Sequence, residues 1–166
     1  MGFKKKLNTP EQAKLKMASL CSRSEQCESD ILNKLYNQGI STSDRKEILD
    51  FLKEEKFIDN ARYAKAFARD KVRFSFWGPK KIRAALALKK ISTPEIFKAL
   101  ETVNEEDWEI ALSKSAMSKS RNLDLIGENG YENRKKLFTF LINRGFTSEQ
   151  SNRAVRIMKE KQSKEE

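Results

Sequence analysis

Three segments of this chain align with one another, and that internal repetition limits its fold more than any other feature. They are "ILNKLYNQGISTSDRKEILDFLKE" from Ile31, "IRAALALKKISTPEIFKALETVNE" from Ile82 and "LFTFLINRGFTSEQSNRAVRIMKE" from Leu137. Leu35, Leu86 and Leu141 coincide, 51 and then 55 residues apart, as do Ile40, Ile91 and Phe146. Leu49, Leu100 and Val155 match further on, followed by Leu52, Val103 and Met158. Polar turn residues recur with them in "ISTS", "ISTP" and "FTSE". Each segment reads as two helices joined by a tight turn. Gly39 and Gly145 stand where a helix C-cap favours a left-handed residue, and a Ser or Thr then opens the next helix. Lys90 takes the glycine's place in the middle copy, so that cap is expected to be strained or closed differently.

A further helix precedes each pair, near "PEQAKLKMASLCS", "NARYAKAFARDKV" and "NEEDWEIALSKSAMSKS". Tyr63, Ala64, Phe67, Ala68 and Val72 form one apolar stripe at helical spacing; Trp108, Ala111, Leu112, Ser115 and Ala116 form another. Asp59 is placed to cap the second of these helices. The expected architecture is all-α: three tandem three-helix repeat modules forming an elongated, curved rod. The modules span 11–56, 57–103 and 104–160, with a flexible basic tail over 1–10 and a C-terminal tail over 161–166. Modules this small bury little alone and must pack on their neighbours. The longest irregular stretch, 121–130, is expected to be a mobile loop inside the third module.

Of the 166 residues, 35% are charged and the formal net charge is +10. That surplus is concentrated. Residues 61–90 hold ten bases, Arg62, Lys65, Arg69, Lys71, Arg73, Lys80, Lys81, Arg83, Lys89 and Lys90, against one acid, Asp70. A solvated helix face mixes signs, so a one-sided window points to a polyanionic partner. Arg62, Lys65, Arg69 and Arg73 step by 3, 4 and 4 along one face, opposite Tyr63 and Phe67. On the next helix Lys80 and Arg83 share a face with Ala84 and Ala87, and the two faces would form one surface if the helices lie side by side. Pro79 fits the first helical position. The unpaired amides behind it, with Lys80 and Lys81, form a candidate phosphate or carboxylate site. In "FSFWGPKKIR", residues 74–83, Phe74, Phe76 and Trp77 occupy the joint between two helices. Filling that joint is their ordinary use, with Phe76 and Trp77 as candidate rings for stacking on a base.

Other classes recede. The chain has no histidine, which removes the usual general base and any Cys/His zinc site. Neither a Gly-rich phosphate loop nor a metal-ligand cluster is visible, so no catalytic residue, metal or cofactor is expected. Cys21 and Cys27 read as reduced thiols, with a redox switch as the alternative. No apolar run approaches the ~20 residues that span a bilayer, no signal-like apolar stretch follows the first lysines, and Lys6 stands where a myristoylation signal needs Ser or Thr. A cytoplasmic protein with no membrane partner is expected.

The middle of the chain, 51–100, resembles the central module of the RecX family, regulators of the RecA recombinase. Phe57, Ile58, Asp59, Arg62, Tyr63, Ala64, Gly78, Pro79, Ile82, Arg83, Leu86 and Ile91 stand in the family pattern, and "LINRGFTSEQ" resembles its closing signature through Arg144, Gly145 and Phe146. The chain departs from the pattern at Asn60, which replaces an acid, at Lys90, which replaces a glycine, and at Cys27, where a serine is common. The resemblance covers about residues 11–160. It implies a non-enzymatic monomer that binds RecA within the groove of its nucleoprotein filament and inhibits strand exchange, ATP hydrolysis and co-protease activity. It also implies binding of single- and double-stranded DNA. Composition and spacing alone lead only to a helical repeat protein that binds a polyanion. The alternative is a DNA-binding repeat protein without a recombinase partner.

Overall fold

The computed structural model describes residues 8–165. Among them are nine α-helices and no strand: α1 Pro10–Arg23, α2 Glu28–Asn37, α3 Thr42–Glu54, α4 Asn60–Ser75, α5 Pro79–Leu88, α6 Thr93–Glu101, α7 Glu105–Ser120, α8 Gly130–Asn143 and α9 Ser148–Glu165. The chain is an all-α rod of three tandem three-helix units, α1–α3, α4–α6 and α7–α9. α9 continues through Lys161, where the sequence suggested that a tail begins; residues 1–7 of the expected N-terminal tail lie outside the described residues.

Side-chain caps start most of these helices. Ser41 accepts from the Asp44 amide, Asp59 from the Arg62 amide and Asn104 from the Asp107 amide. Thr9 with Gln12 and Ser92 with Glu95 form reciprocal capping boxes, each satisfying two backbone donors. The middle helix of each triad ends in one shared closure. Gly39, Lys90 and Gly145 each donate to the carbonyl three residues back, while Ile40, Ile91 and Phe146 donate to Leu35, Leu86 and Leu141. This is the Schellman pattern, which needs a left-handed residue. Gly39 (φ +77°) and Gly145 (φ +96°) adopt it freely, whereas Lys90 adopts it with a side chain (φ +59°). The expected strain at Lys90 is therefore present, and the closure is not rebuilt.

The apolar residues form two cores rather than three. Ala13, Met17, Ile31, Leu35, Ile40, Ile48, Leu52 and Ile58 make one inside the first unit. The second runs unbroken from Tyr63 and Val72 through Ile82 and Leu86 to Leu137, Leu141, Phe146 and Met158, so the second and third units share it. Cys27, the N-cap of α2, is fully buried and is the first unit's contribution to that shared core.

The two joints differ in kind. Between the first and second units the links are polar: Arg62 Nε donates to Glu25 (2.6 Å), Glu28 N to Asn60 Oδ1 (3.1 Å), Ser29 Oγ to the Lys89 carbonyl (2.7 Å) and Lys89 Nζ to Asp30 (2.7 Å). Between the second and third, backbone meets backbone. Gly78 N donates to the Arg144 carbonyl (2.7 Å) and Lys80 N to the Gly145 carbonyl (3.0 Å). Arg144 Nη1 reaches the Ser75 carbonyl (2.9 Å) and Ser115 Oγ the Phe76 carbonyl (3.0 Å). A Cβ on Gly78 would lie 2.5 Å from the Gly145 carbonyl oxygen, and a Cβ on Gly145 would lie 2.5 Å from Lys81 Cβ. Only glycine permits that approach on either side.

The 121–129 segment is tied down rather than loose. Leu125 is fully buried, Gln162 of α9 accepts from the Leu125 amide and donates to the Leu123 carbonyl, and Arg134 and Asn133 of α8 bond the Leu125 and Asp124 carbonyls. The Gly127 and Ile126 amides hold the Asp124 carboxyl below its usual range.

Two substitutions test these closures by urea denaturation followed by helical circular dichroism. Gly145→Ala adds backbone overlap to a positive φ and is expected to lower stability by about 2–4 kcal/mol. Lys90→Gly relieves the same positive φ and is expected to raise stability by about 1 kcal/mol.

Candidate polyanion-binding surface

On α4, spacing by 3 and 4 places Arg62, Lys65, Arg69 and Arg73 on the exposed face, as their periodicity requires. They are not equally available. Arg62 bonds Glu25 and also donates to the Lys56 and Phe57 carbonyls (3.1 and 3.3 Å), so it locks the first joint. Its hydrogen bond to the Glu25 carboxylate holds its pKa above the ordinary arginine value. Arg73 reaches Asp107 at the start of α7 (3.4 Å). Arg69 lies 3.7 Å from Asp70 in a solvated pair, which holds it weakly. Lys65, Arg69 and Arg73 line a groove of about 250 Å³ whose other wall is the α6–α7 turn, Thr102–Asp107.

Lys71 points elsewhere. It lies two residues from both Arg69 and Arg73, about 200° round the helix, and lines a cleft against α2. Its ammonium sits 5.4 Å from the Phe67 ring centre and 4.8 Å from that of Trp77. Lys89 and Lys90 line the same cleft. Burial pushes the Lys89 ammonium down, but its hydrogen bond to Asp30 and the neighbouring Tyr63 and Asp30 more than reverse this, leaving its pKa raised. The basic window is thus divided between two sides of α4 rather than gathered on one surface.

α5 carries Lys80 and Arg83, both exposed, beside the exposed Ala84 and Ala87. Lys81 is half-buried, with its ammonium 4.5 Å from the Trp77 ring centre. The expected anion site at the start of α5 does not form. The Lys80 amide is already bonded to Gly145, and the close approach of that glycine leaves no space for a phosphate. Phe76 and Trp77 are half-buried against the shared core. Phe76 ends α4 in the left-handed region (φ +52°). Trp77 stands edge-on to Phe67 at 6.4 Å, and the two ammonium groups over its ring occupy the space a base would need. The ring that does reach solvent is Phe74, 79% exposed.

Residues 59–100 match the family profile described as "RecX, second three-helix domain". Proteins named "Regulatory protein RecX" are similar along most of the chain. That of Clostridium perfringens (strain SM101 / Type A) is 29% identical over 129 residues, 78% of this chain and 60% of the relative. That of Clostridium botulinum (strain Alaska E43 / Type E3) is 30% identical over 124 residues, 75% of this chain and 58% of the relative. A crystal structure titled as regulatory protein RecX superposes with a TM-score of 0.72 at 25% identity, over 86% of this chain and 71% of that one. Residues 59–100 thus resemble a RecX domain, within a chain that is similar to RecX proteins along most of its length. A second structure, RecX from Lactobacillus salivarius, shares the fold with a TM-score of 0.73 over 90% of this chain and 96% of that one, at 17% identity. The chain spans about three fifths of the length of the curated RecX relatives it matches.

Two RecX-like signatures that are far apart in sequence meet in space. Gly78-Pro79 of the second unit docks on Arg144-Gly145-Phe146 of the third through the backbone bonds above. Two features escaped the sequence reading. Phe74 is exposed in the last turn of α4, although it lies seven residues, about two turns, beyond the half-buried Phe67. The third unit also presents Lys119, Lys135 and Lys136 around Phe140, with Lys119 5.5 Å and Arg144 5.1 Å from that ring centre. These cations come from two helices and are interspersed with Glu128 and Glu132, so no window of sequence reveals them.

The division of labour on α4 is measurable. Arg62→Ala is expected to cost about 1–2 kcal/mol of stability, because a charged donor with three acceptors is lost. Arg69→Ala is expected to shift stability by less than about 0.5 kcal/mol, with both read from melting curves.

Proposed function

We propose that this chain is a non-enzymatic regulator of RecA that binds the recombinase nucleoprotein filament as a monomer in its groove. In this reading it inhibits strand exchange, ATP hydrolysis and co-protease activity, and so tunes DNA repair and the SOS response in the cytoplasm. The observation that carries the proposal is the coincidence of the family match with exposed cations. Lys65, Arg69, Lys80, Arg83 and Lys90 are all exposed and lie within the matched residues 59–100. Among the described residues only Arg69 of these five has a carboxylate within ion-pair distance. Exposed, uncommitted cations steer a protein to a polyanionic assembly and set its orientation there. The relatives' name, regulatory protein, fits a binding role. Lys71, Lys81 and Lys89 are engaged with rings or with Asp30 and contribute less.

The exposed Phe74 ring at the end of the basic stripe favours a second reading, a DNA-binding repeat protein with no recombinase partner. Titrating the protein into a RecA strand-exchange and ATPase assay separates the two. Inhibition at substoichiometric or stoichiometric protein supports the regulator, and unchanged ATPase at a stoichiometric ratio removes it. Lys80→Glu with Arg83→Glu is expected to raise the concentration for half-inhibition about tenfold, which is about 1.4 kcal/mol, without changing the melting temperature. If Phe74→Ala and the double variant abolish DNA binding while the parent protein leaves RecA ATPase unchanged, the second reading stands.

A further inference from the structure

The cleft between α2 and the α4–α5 pair has a chemistry that the basic face does not share. It encloses about 630 Å³, within the ~300–1,000 Å³ of ligand-sized concavities. One part of its lining is apolar: Leu32, Phe67, Trp77, Ala85 and Leu88. Leu88 is 86% exposed at the end of α5, an unusual position for a leucine beside a concave surface. The other part is charged, and its carboxylates are already satisfied. Asp30 pairs with Lys89 at 2.7 Å and Glu28 with Lys53 at 3.1 Å. Two cations in the lining, Lys71 and Lys90, have no ion-pair partner among the described residues, and Lys71 is held against the Phe67 and Trp77 rings. Lys90 also keeps a left-handed backbone that glycine would adopt without strain. A strained conformation retained at the mouth of a cleft points to a use for its side chain.

We propose that this cleft is a docking site for a short extended segment of another protein that carries a bulky apolar side chain next to a carboxylate. The apolar group packs against Leu32, Ala85 and Leu88, beside the rings that Lys71 covers, and the carboxylate meets Lys71 and Lys90. Charge complementarity selects this occupant. A nucleic-acid strand carries one phosphate charge per nucleotide and would bring more than one past Asp30 and Glu28, whereas a peptide can present one carboxylate to two cations. The chain's own ends do not match: "MGFKKKL" brings cations to a cationic rim, and "SKEE" has no apolar side chain. The proposal is independent of whether RecA is the partner, because it specifies the chemistry of a segment and is tested without RecA.

The chain has two tryptophans, so Trp108→Phe leaves Trp77 as the single reporter inside the cleft. A random 12-residue peptide display library is panned on the full chain, and selected peptides are titrated against the Trp108→Phe protein by fluorescence. The expected result is a consensus of Asp or Glu adjacent to Leu, Ile, Phe or Trp, whose binding shifts Trp77 emission. Leu88→Glu in that background is expected to weaken binding at least tenfold. Lys90→Gly is expected to weaken it about fivefold while the melting temperature stays level or rises, a combination that a merely structural role for Lys90 does not produce. Lys46→Glu, on the exposed side of α3, controls for net charge and is expected to leave binding unchanged. Absence of an acid-plus-apolar consensus, or selected peptides that bind the Leu88→Glu and Lys90→Gly variants as well as the parent, overturns the proposal. A 12-nucleotide oligothymidylate that shifts Trp77 more tightly than any selected peptide assigns the cleft to single-stranded nucleic acid instead. A dimer in sedimentation that Leu88→Glu dissociates assigns it to a second copy.

Discussion

The architecture hinges on one contact, the meeting of the backbone at Gly78 with the backbone at Arg144 and Gly145. Two hydrogen bonds across it satisfy donors that the start of α5 would otherwise leave exposed, and the absence of a Cβ on either side allows the chains to touch. This contact draws the α8–α9 turn onto the start of α5 and lets the second and third units fill a single core. It also decides what the basic segment can do. With the α5 amides closed by the third unit, Lys80 and Arg83 act as solvent-facing charges rather than as parts of a helix-end anion site.

The contrast with the other joint is physical as well as topological. The first unit keeps its own core and meets the second mainly through side-chain hydrogen bonds and ion pairs, with Cys27 as its buried anchor. Burial raises the pKa of the nearby Cys21 thiol, and the Glu25 charge adds to this, which disfavours the thiolate. A polar joint leaves a cleft where an apolar joint closes it, and the Leu32–Leu88 cleft lies there. The backbone-locked pair of units offers charge on its surface, while the polar joint offers a concavity.

Much of the helical framework was legible in the residues because helical periodicity and capping are local. The Tyr63–Val72 stripe is buried except for the half-buried Phe67. Asp59, Ser41 and Ser92 cap the helices they precede, and Leu35, Leu86 and Leu141 are fully buried at equivalent places. The surface was less legible. Ten bases in one window look like one patch, but a helix turns about 100° per residue, so Lys71 faces α2 while Arg69 and Arg73 face the α6–α7 turn. Phe76 and Trp77 stand beside the charge in sequence, as candidate stacking rings would, yet the turn that half-buries them exposes Phe74.

By itself the sequence determined the class of the protein: repeated apolar spacing, left-handed turn positions and a polar N-cap in each copy leave a helical repeat as the consistent solution, and the uneven charge marks its second unit. These properties depend on neighbours within a few residues. The tertiary structure alone decided that two cores form rather than three, that the start of α5 is closed, and that the cations face two directions. Each of those outcomes depends on groups 30 to 70 residues apart, such as Arg144 with Ser75 and Lys89 with Asp30, and no local pattern encodes which distant carbonyl or carboxylate a side chain will find.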